Sequence, residues 1–185
     1  MKKITTHSIA VITKTELKLA LKIDDAFTAD DDYLDILIVS AGRLFEKRTN
    51  LALLDATVEE YFDKFHRTFE LTMTPLQSLT TIEIRDGGSY STWTHASNVV
   101  EDDASKPARI HVFDTISSPT VDNEANCVKI TYIAGETDIA DVEPLIKQAV
   151  LNIAVDMYQN REDPVRERKT AVDRIISDYR VRSFA

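Results

Sequence analysis

Four histidines, one cysteine and three acidic runs are the residues of this chain whose types lend themselves to chemistry. His7, His66, His95 and His111 include no pair at i and i+4, the spacing that lets two imidazoles on one helix face grip a metal. Exposed or strand-packed histidine is therefore the better reading of each. Cys127 has no second cysteine to oxidise with and no companions at zinc-site spacing. Lying just before an alternating apolar run, it reads as a small buried hydrophobe rather than a nucleophile. Asp24-Asp25, Asp30-Asp31-Asp32 and Glu101-Asp102-Asp103 lack the alternating ligands and central glycine of a calcium loop, so helix capping and a solvated loop account for them. With four glycines in the whole chain there is no phosphate loop, dinucleotide motif or nucleophile elbow, and Gly87-Gly88 reads as a turn. Tyr90 and Trp93 have faces that can stack on a sugar or base, although core packing or a subunit contact is the commoner use of such residues. The expectation is a protein with no catalytic residue, no cofactor and no metal.

Composition bounds the alternatives. At 185 residues, 43% hydrophobic and 29% charged, the chain can bury a core without a disulfide or metal, and one domain over residues 1–185 is expected. Met1-Lys2-Lys3-Ile4-Thr5-Thr6-His7 contains no apolar run of signal-peptide length, and nothing later approaches a membrane span, which places the protein in the cytosol where it is made. A formal charge of −9 argues against a protein that grips nucleic acid, because phosphate binding is driven by Lys and Arg releasing counterions. It does not argue against a channel, in which DNA must slide and not stick.

The elements follow from periodicity and capping. Thr13-Lys14-Thr15-Glu16 has the pattern of a capping box and opens a short helix to about Ile23. Asp30 to Asp32 then sit at the positive end of a second helix reaching about Arg48. Its apolar positions, Tyr33, Leu34, Ile36, Leu37, Ile38, Ala41, Leu44 and Phe45, leave a narrow polar stripe of Asp32, Asp35, Arg43 and Glu46. From Thr57 to Ala134 the pattern changes. Thr80 to Ile84 alternates before Asp86-Gly87-Gly88, and Ala108 to Phe113 and Cys127 to Ile133 are further β-like runs, with Val99 to Lys106 and Ser117 to Asn126 read as polar loops. Val58, Tyr61, Phe62, Phe65 and Phe69 have helical spacing, yet the stretch is as rich in aromatics as a strand. Val142, Leu145, Ile146, Ala149, Val150, Ile153, Ala154, Met157 and Tyr158 mark a helix of about 26 Å. Leu151 and Val155 widen its apolar face and leave Gln148, Asn152, Asp156 and Gln159 as the polar stripe. A last helix carries Ala171, Val172, Ile175, Ile176 and Tyr179, and Arg180 to Ala185 has no helical reason to order alone. The fold class expected is α+β, mainly α: helices over 13–48 and 142–180 packed as a bundle, with a small antiparallel β insertion over about 57–134.

Several phrases, in order, resemble the head-tail connector (adaptor) family of tailed bacteriophages. They are Pro75-Leu76-Gln77-Ser78-Leu79-Thr80-Thr81-Ile82 leading into Asp86-Gly87-Gly88; Val128-Lys129-Ile130-Thr131-Tyr132-Ile133-Ala134-Gly135; Pro144-Leu145-Ile146-Lys147-Gln148-Ala149; Met157-Tyr158-Gln159-Asn160-Arg161-Glu162; and a closing apolar helix with Tyr179-Arg180. The resemblance spans nearly the whole chain and points to the longer members, which carry a β-rich insertion. It favours a strand at Thr57 to Phe65. The charged Pro164-Val165-Arg166-Glu167-Arg168-Lys169 departs from the glycine-containing stretch often found before the last helix.

The resemblance implies a structural virion protein without catalytic residues, assembled in the bacterial host cytoplasm. Its subunits form a ring, usually of twelve, beneath the portal protein; DNA passes through that ring, and the tail or a stopper protein docks on it. Helices too apolar for a monomer put Tyr33, Leu37, Leu44, Leu151 and Val155 at the subunit interface. The acidic Asp30, Asp31, Asp32, Glu101, Asp102 and Asp103 become candidates for the channel lining, and Arg180, Arg182 and Phe184 for the portal contact. Two other readings stand beside it: a packaging-accessory or tail-completion protein, and a small ligand-binding α+β protein or hydrolase using His95, His111 or Trp93.

Overall fold

Thr13 does what the capping-box pattern asks: its backbone N–H donates to Glu16 Oε2 at 2.6 Å, and its Oγ1 accepts from the Glu16 N–H at 3.2 Å. That contact opens the computed structural model's first helix, α1 (Lys14–Leu21), which stops at Lys22 in the left-handed region, φ 58°. The structure describes residues 10–93, 97–122, 124–161 and 171–181, and the backbone of 2–7. These fall into two compact units.

The helical unit lies within Ser8–Leu54 and Glu136–Arg180. Besides α1 it holds α2 (Asp31–Thr49), α3 (Pro144–Gln159) and α4 (Ala171–Tyr179). Aspartates stand in the first turn of α2 and Lys47 and Arg48 in its last, each at the end of the helix dipole that favours its charge. Pro144 starts α3, where its missing N–H costs nothing. Helix α3 packs against α1, α2 and α4, and α2 against α1 and α4. Leu34, Leu37, Ile38, Ala41 and Phe45 of α2 are buried at helical spacing, as are Ala149, Val150, Ile153 and Ala154 of α3. Each fully buried Leu or Phe stabilises the unit by about 1.5–3 kcal/mol. Two buried charges are used locally. Lys18 Nζ reaches the carbonyls of Asp25 and Phe27 at 3.0 and 2.8 Å and Asp31 Oδ1 at 2.7 Å, tying down the α1–α2 turn. Glu46 Oε1 accepts from the Leu53 N–H at 2.8 Å.

The β unit comprises Asp55–Gly135 with the N-terminal strand and Val181. Its strands are β1 (Lys2–His7), β2 (Ala56–Phe62), β3 (Thr68–Glu70), β4 (Leu76–Asp86), β5 (Ser89–Trp93), β6 (Val99–Asp102), β7 (Arg109–Val112) and β8 (Val128–Ala134). They make a five-stranded sheet in the order β1-β2-β8-β4-β5 and a three-stranded sheet β3-β7-β6, with antiparallel pairing throughout. On β8 the buried residues Val128, Ile130, Tyr132 and Ala134 alternate with half-buried ones, the period-2 signature of a sheet with one face in the core. Gly87 and Gly88, both at positive φ, close the β4–β5 hairpin, and the Asp122 carboxylate accepts from both their N–H groups at 3.0 Å.

The chain is α+β, but its β part is larger than a small insertion in a mainly α protein: eight strands in two sheets stand beside four helices among the described residues. One local expectation changes with it, one stretch given no element gains a strand, and the open choice at Thr57 to Phe65 falls to the strand that the resemblance favoured. Val99–Asp102, read as loop, is β6, paired through Glu101↔Ile110 and Asp102↔Arg109. Lys2–His7 adds a strand to β2. The helically spaced aromatics lie on β2, a turn and β3, which together bring Phe62 and Phe65 to 5.0 and 5.6 Å from Phe69. Their spacing reflects an aromatic cluster, not a helix.

Candidate assembly surface

The acidic triplet at the start of α2 is largely occupied within its own unit. Asp30 Oδ2 accepts from the Tyr158 hydroxyl at 2.6 Å and from Arg161 Nη2 at 3.0 Å. The Arg161 guanidinium also lies 4.7 and 4.6 Å from the ring centres of Tyr33 and Tyr158, a cation–π clamp that joins the end of α3 to the start of α2. The Tyr158 hydrogen bond, with Arg161 beside it, holds the Asp30 carboxyl below its usual range. Asp31 is held low in the same sense by Lys18, then Lys14. Asp35 pairs with Lys14 at 2.9 Å. Asp32 is exposed.

The second acidic run is partly consumed as well. Glu101 Oε2 accepts from the Leu79 N–H at 3.0 Å, and Asp102 accepts from the Ser105 N–H and hydroxyl at 3.1 and 2.6 Å, the hydroxyl bond being the main reason its carboxyl sits low. Asp103 is exposed. Of the six acidic channel candidates, Asp32 and Asp103 have their charge turned to solvent, while Asp30, Asp31, Glu101 and Asp102 support local structure.

The apolar interface candidates separate too. Leu37, 6% exposed, belongs to the core of its own chain, a correction to its expected place at a subunit surface. Tyr33, Leu44, Leu151 and Val155 are half-buried, Tyr33 under Arg161. The large apolar residues that do face solvent in this unit are others, among them Leu19 at 78%, Ile36 at 61%, Val39 and Leu145. The signal for two of them was present in the sequence: at 100° per residue, Ile36 and Val39 fall in the same sector of α2 as Asp32, Asp35 and Arg43. They are apolar residues inside the polar stripe.

Arg180 is exposed and Val181, two residues past α4, is buried at 5%; Arg182 and Phe184 lie outside the described residues. Cys127 is buried, and burial pushes its thiol pKa up, away from nucleophilic use. His66 and His111 are exposed, the latter with Nδ1 3.0 Å from Thr68 Oγ1; His95 and the side chain of His7 lie outside the described residues. Trp93 packs edge-on to Phe65, and Tyr90 hydrogen-bonds the Asn126 carbonyl with Lys129 Nζ 5.4 Å above its ring. Among the described residues no group of three or more His, Cys, Asp or Glu side chains could hold a metal, and no helix is long and apolar enough to cross a membrane.

No family model matches the sequence, and no curated protein shows significant similarity to it. Solved structures do match in fold over the whole chain. A chain of the virion of a native gene transfer agent (GTA) particle superposes with a TM-score of 0.80 at 19% identity, covering 100% of this chain and 97% of that one. A chain of the neck of an empty GTA particle, computed with C6 symmetry, gives 0.79 at 18% with the same coverage. One from the neck of a native GTA particle, computed with C12 symmetry, gives 0.70 at 20%, again with that coverage. At these identities the likeness establishes a common fold from end to end.

Proposed function

We propose that the chain is a structural subunit of a ring in the neck of a phage-like particle, a head-tail connector with no catalytic machinery of its own. The observation that carries this reading is the end-to-end fold shared with chains of GTA neck and virion structures, with both units included in the match. The sequence resemblance supports it independently, because it rests on local phrases and not on backbone shape. In this reading twelve copies close a ring beneath a portal protein, DNA passes through the lumen, and a tail or stopper protein docks on the far side. The particle is assembled in the host cytoplasm and the subunit remains in the virion.

Roles for the surface follow. The subunit contact in the helical unit is made by Ile36 and Val39 of α2, with the half-buried Leu44, Leu151 and Val155 as further candidates, since burying exposed apolar area is what drives association. Asp32 and Asp103 face the lumen, where like charge keeps the duplex from adhering. Arg180, followed by Arg182 and Phe184, reaches the portal, with arginines pairing to carboxylates and the phenylalanine filling an apolar pocket. Native mass measurement and negative-stain imaging, with and without purified portal, test the reading. A closed ring, or a layer added to the narrow end of the portal, is the expected result; a chain that stays monomeric under both conditions and adds no layer overturns it.

A further inference from the structure

Each sheet of the β unit ends in two strands with one unpaired side, and an unpaired strand edge recruits other chains unless it is protected. Three of the four ends carry protection. β1 has Lys2 and Lys3 and a bulge at Thr5, where Ile4 pairs with Val58 and Thr6 with Thr57. β3 is three residues long, and β6 is four residues with Glu101 and Asp102 among them. The fourth, β5, reads Ser-Tyr-Ser-Thr-Trp: no charge, no proline, and unbroken register with β4 from Ser89↔Asp86 to Trp93↔Ile82. Its first four residues are exposed, and among the described residues no strand pairs with its outer side.

The direction of its outer backbone groups can be worked out. The Arg85 N–H donates to the Cys127 carbonyl at 2.7 Å and the Arg85 carbonyl accepts from the Asp122 N–H at 2.9 Å, so the Arg85 backbone faces away from β5. Arg85 and Tyr90 are therefore a non-hydrogen-bonded pair, and alternation makes Glu83 and Thr92 the next. Tyr90 and Thr92 thus aim two N–H and two C=O groups outward, at the spacing of an incoming strand.

We infer that the open edge of β5 is a seam between copies: it takes the β1 edge of the next subunit in the ring, joining neighbouring five-stranded sheets. This rests on the ring reading above. A ring closes through head-to-tail contacts in which one side of each copy meets a different side of the next, and β1 and β5 are the two ends of one sheet, six and five residues long. Lysines on β1 oppose its pairing with another β1 but not with a neutral strand.

Thr92→Pro tests this, because it removes an outward amide while leaving the β4 ladder intact, a position where sheets tolerate proline. Circular dichroism and the thermal midpoint should show the variant folded, while the concentration needed for half-assembly rises about tenfold or more. Thr92→Ala should assemble as the wild type does. A folded Thr92→Pro that forms rings at wild-type concentration overturns the inference and leaves the ring reading standing; a wild type that forms no ring with or without portal removes both. An oxidised Lys3→Cys, Thr92→Cys double variant should run as a covalent ladder beyond two copies. Bands that stop at a dimer, or no bands, overturn β1 as the incoming strand, and loss of tail-side binding with rings intact overturns a second copy as the occupant.

Discussion

At the scale of single residues, Glu60 and Tyr132 satisfy one another in the core of the β unit. Glu60, 3% exposed, accepts from the Tyr132 hydroxyl at 2.6 Å and from the Thr72 N–H at 2.8 Å, and the same hydroxyl accepts from the Met73 N–H at 3.1 Å. Burial, reinforced by Glu60, drives the Tyr132 pKa upward and keeps the phenol protonated as a donor. Tyr132→Phe should cost about 1–3 kcal/mol, because the buried Glu60 side chain loses its hydroxyl donor; urea unfolding measures it. Tyr61→Phe, which loses a half-buried bond to Glu59, is the contrast and should stay within about 0.5 kcal/mol. Asp30 supplies a pH signature. Its carboxyl is depressed in the folded state by Tyr158 and then Arg161, so the stability it contributes is present above the unfolded carboxylate value and lost as pH falls through the folded one. The thermal midpoint of Asp30→Asn should therefore lie below wild type at neutral pH, with the gap closing below about pH 4.

At the scale of elements, much was legible in the sequence where one local rule decided the outcome. Thr13 and Glu16 cap a helix with only each other to consult, and the apolar spacing from Val142 to Tyr158 fits nothing but a helix. What could not be read depended on partners outside the element itself. Val99–Asp102 becomes a strand because β7 lies beside it, and Lys2–His7 because β2 does, its pairs running from His7↔Ala56 to Lys2↔Glu60 in the second case. The candidate surface was legible only in outline, since apolar enrichment in α2 signals an extra contact but not which residues remain after Leu37 has gone to the core. Ile36→Lys or Val39→Lys should leave stability within about 0.5 kcal/mol of wild type, because both side chains already face water, while weakening ring assembly in native mass spectra. An assembly unchanged by both substitutions places the helical contact elsewhere.

At the scale of the whole molecule, Val181 bounds the truncation that can test the portal contact. Because Val181 is buried, a truncation testing the portal contact must keep it, and removal of residues 182–185 is the informative variant. The truncated protein should retain its thermal midpoint and lose affinity for purified portal; undiminished affinity would move that contact to another surface. The two units also interleave along the chain: the helical unit uses residues up to Leu54 and resumes at Glu136, with most of the β unit between them. This ordering has a consequence for biosynthesis. Helices α1 and α2 leave the ribosome with Leu34, Leu37, Ile38 and Phe45 still lacking α3, and at about 5–20 residues per second the wait lasts roughly 4–16 s. During that interval a nascent helical hairpin presents an apolar stripe to its neighbours on the same polysome. Slowing translation between codons 55 and 135 should increase aggregation of the newly made protein, whereas a holding chaperone bound to that stripe should suppress it.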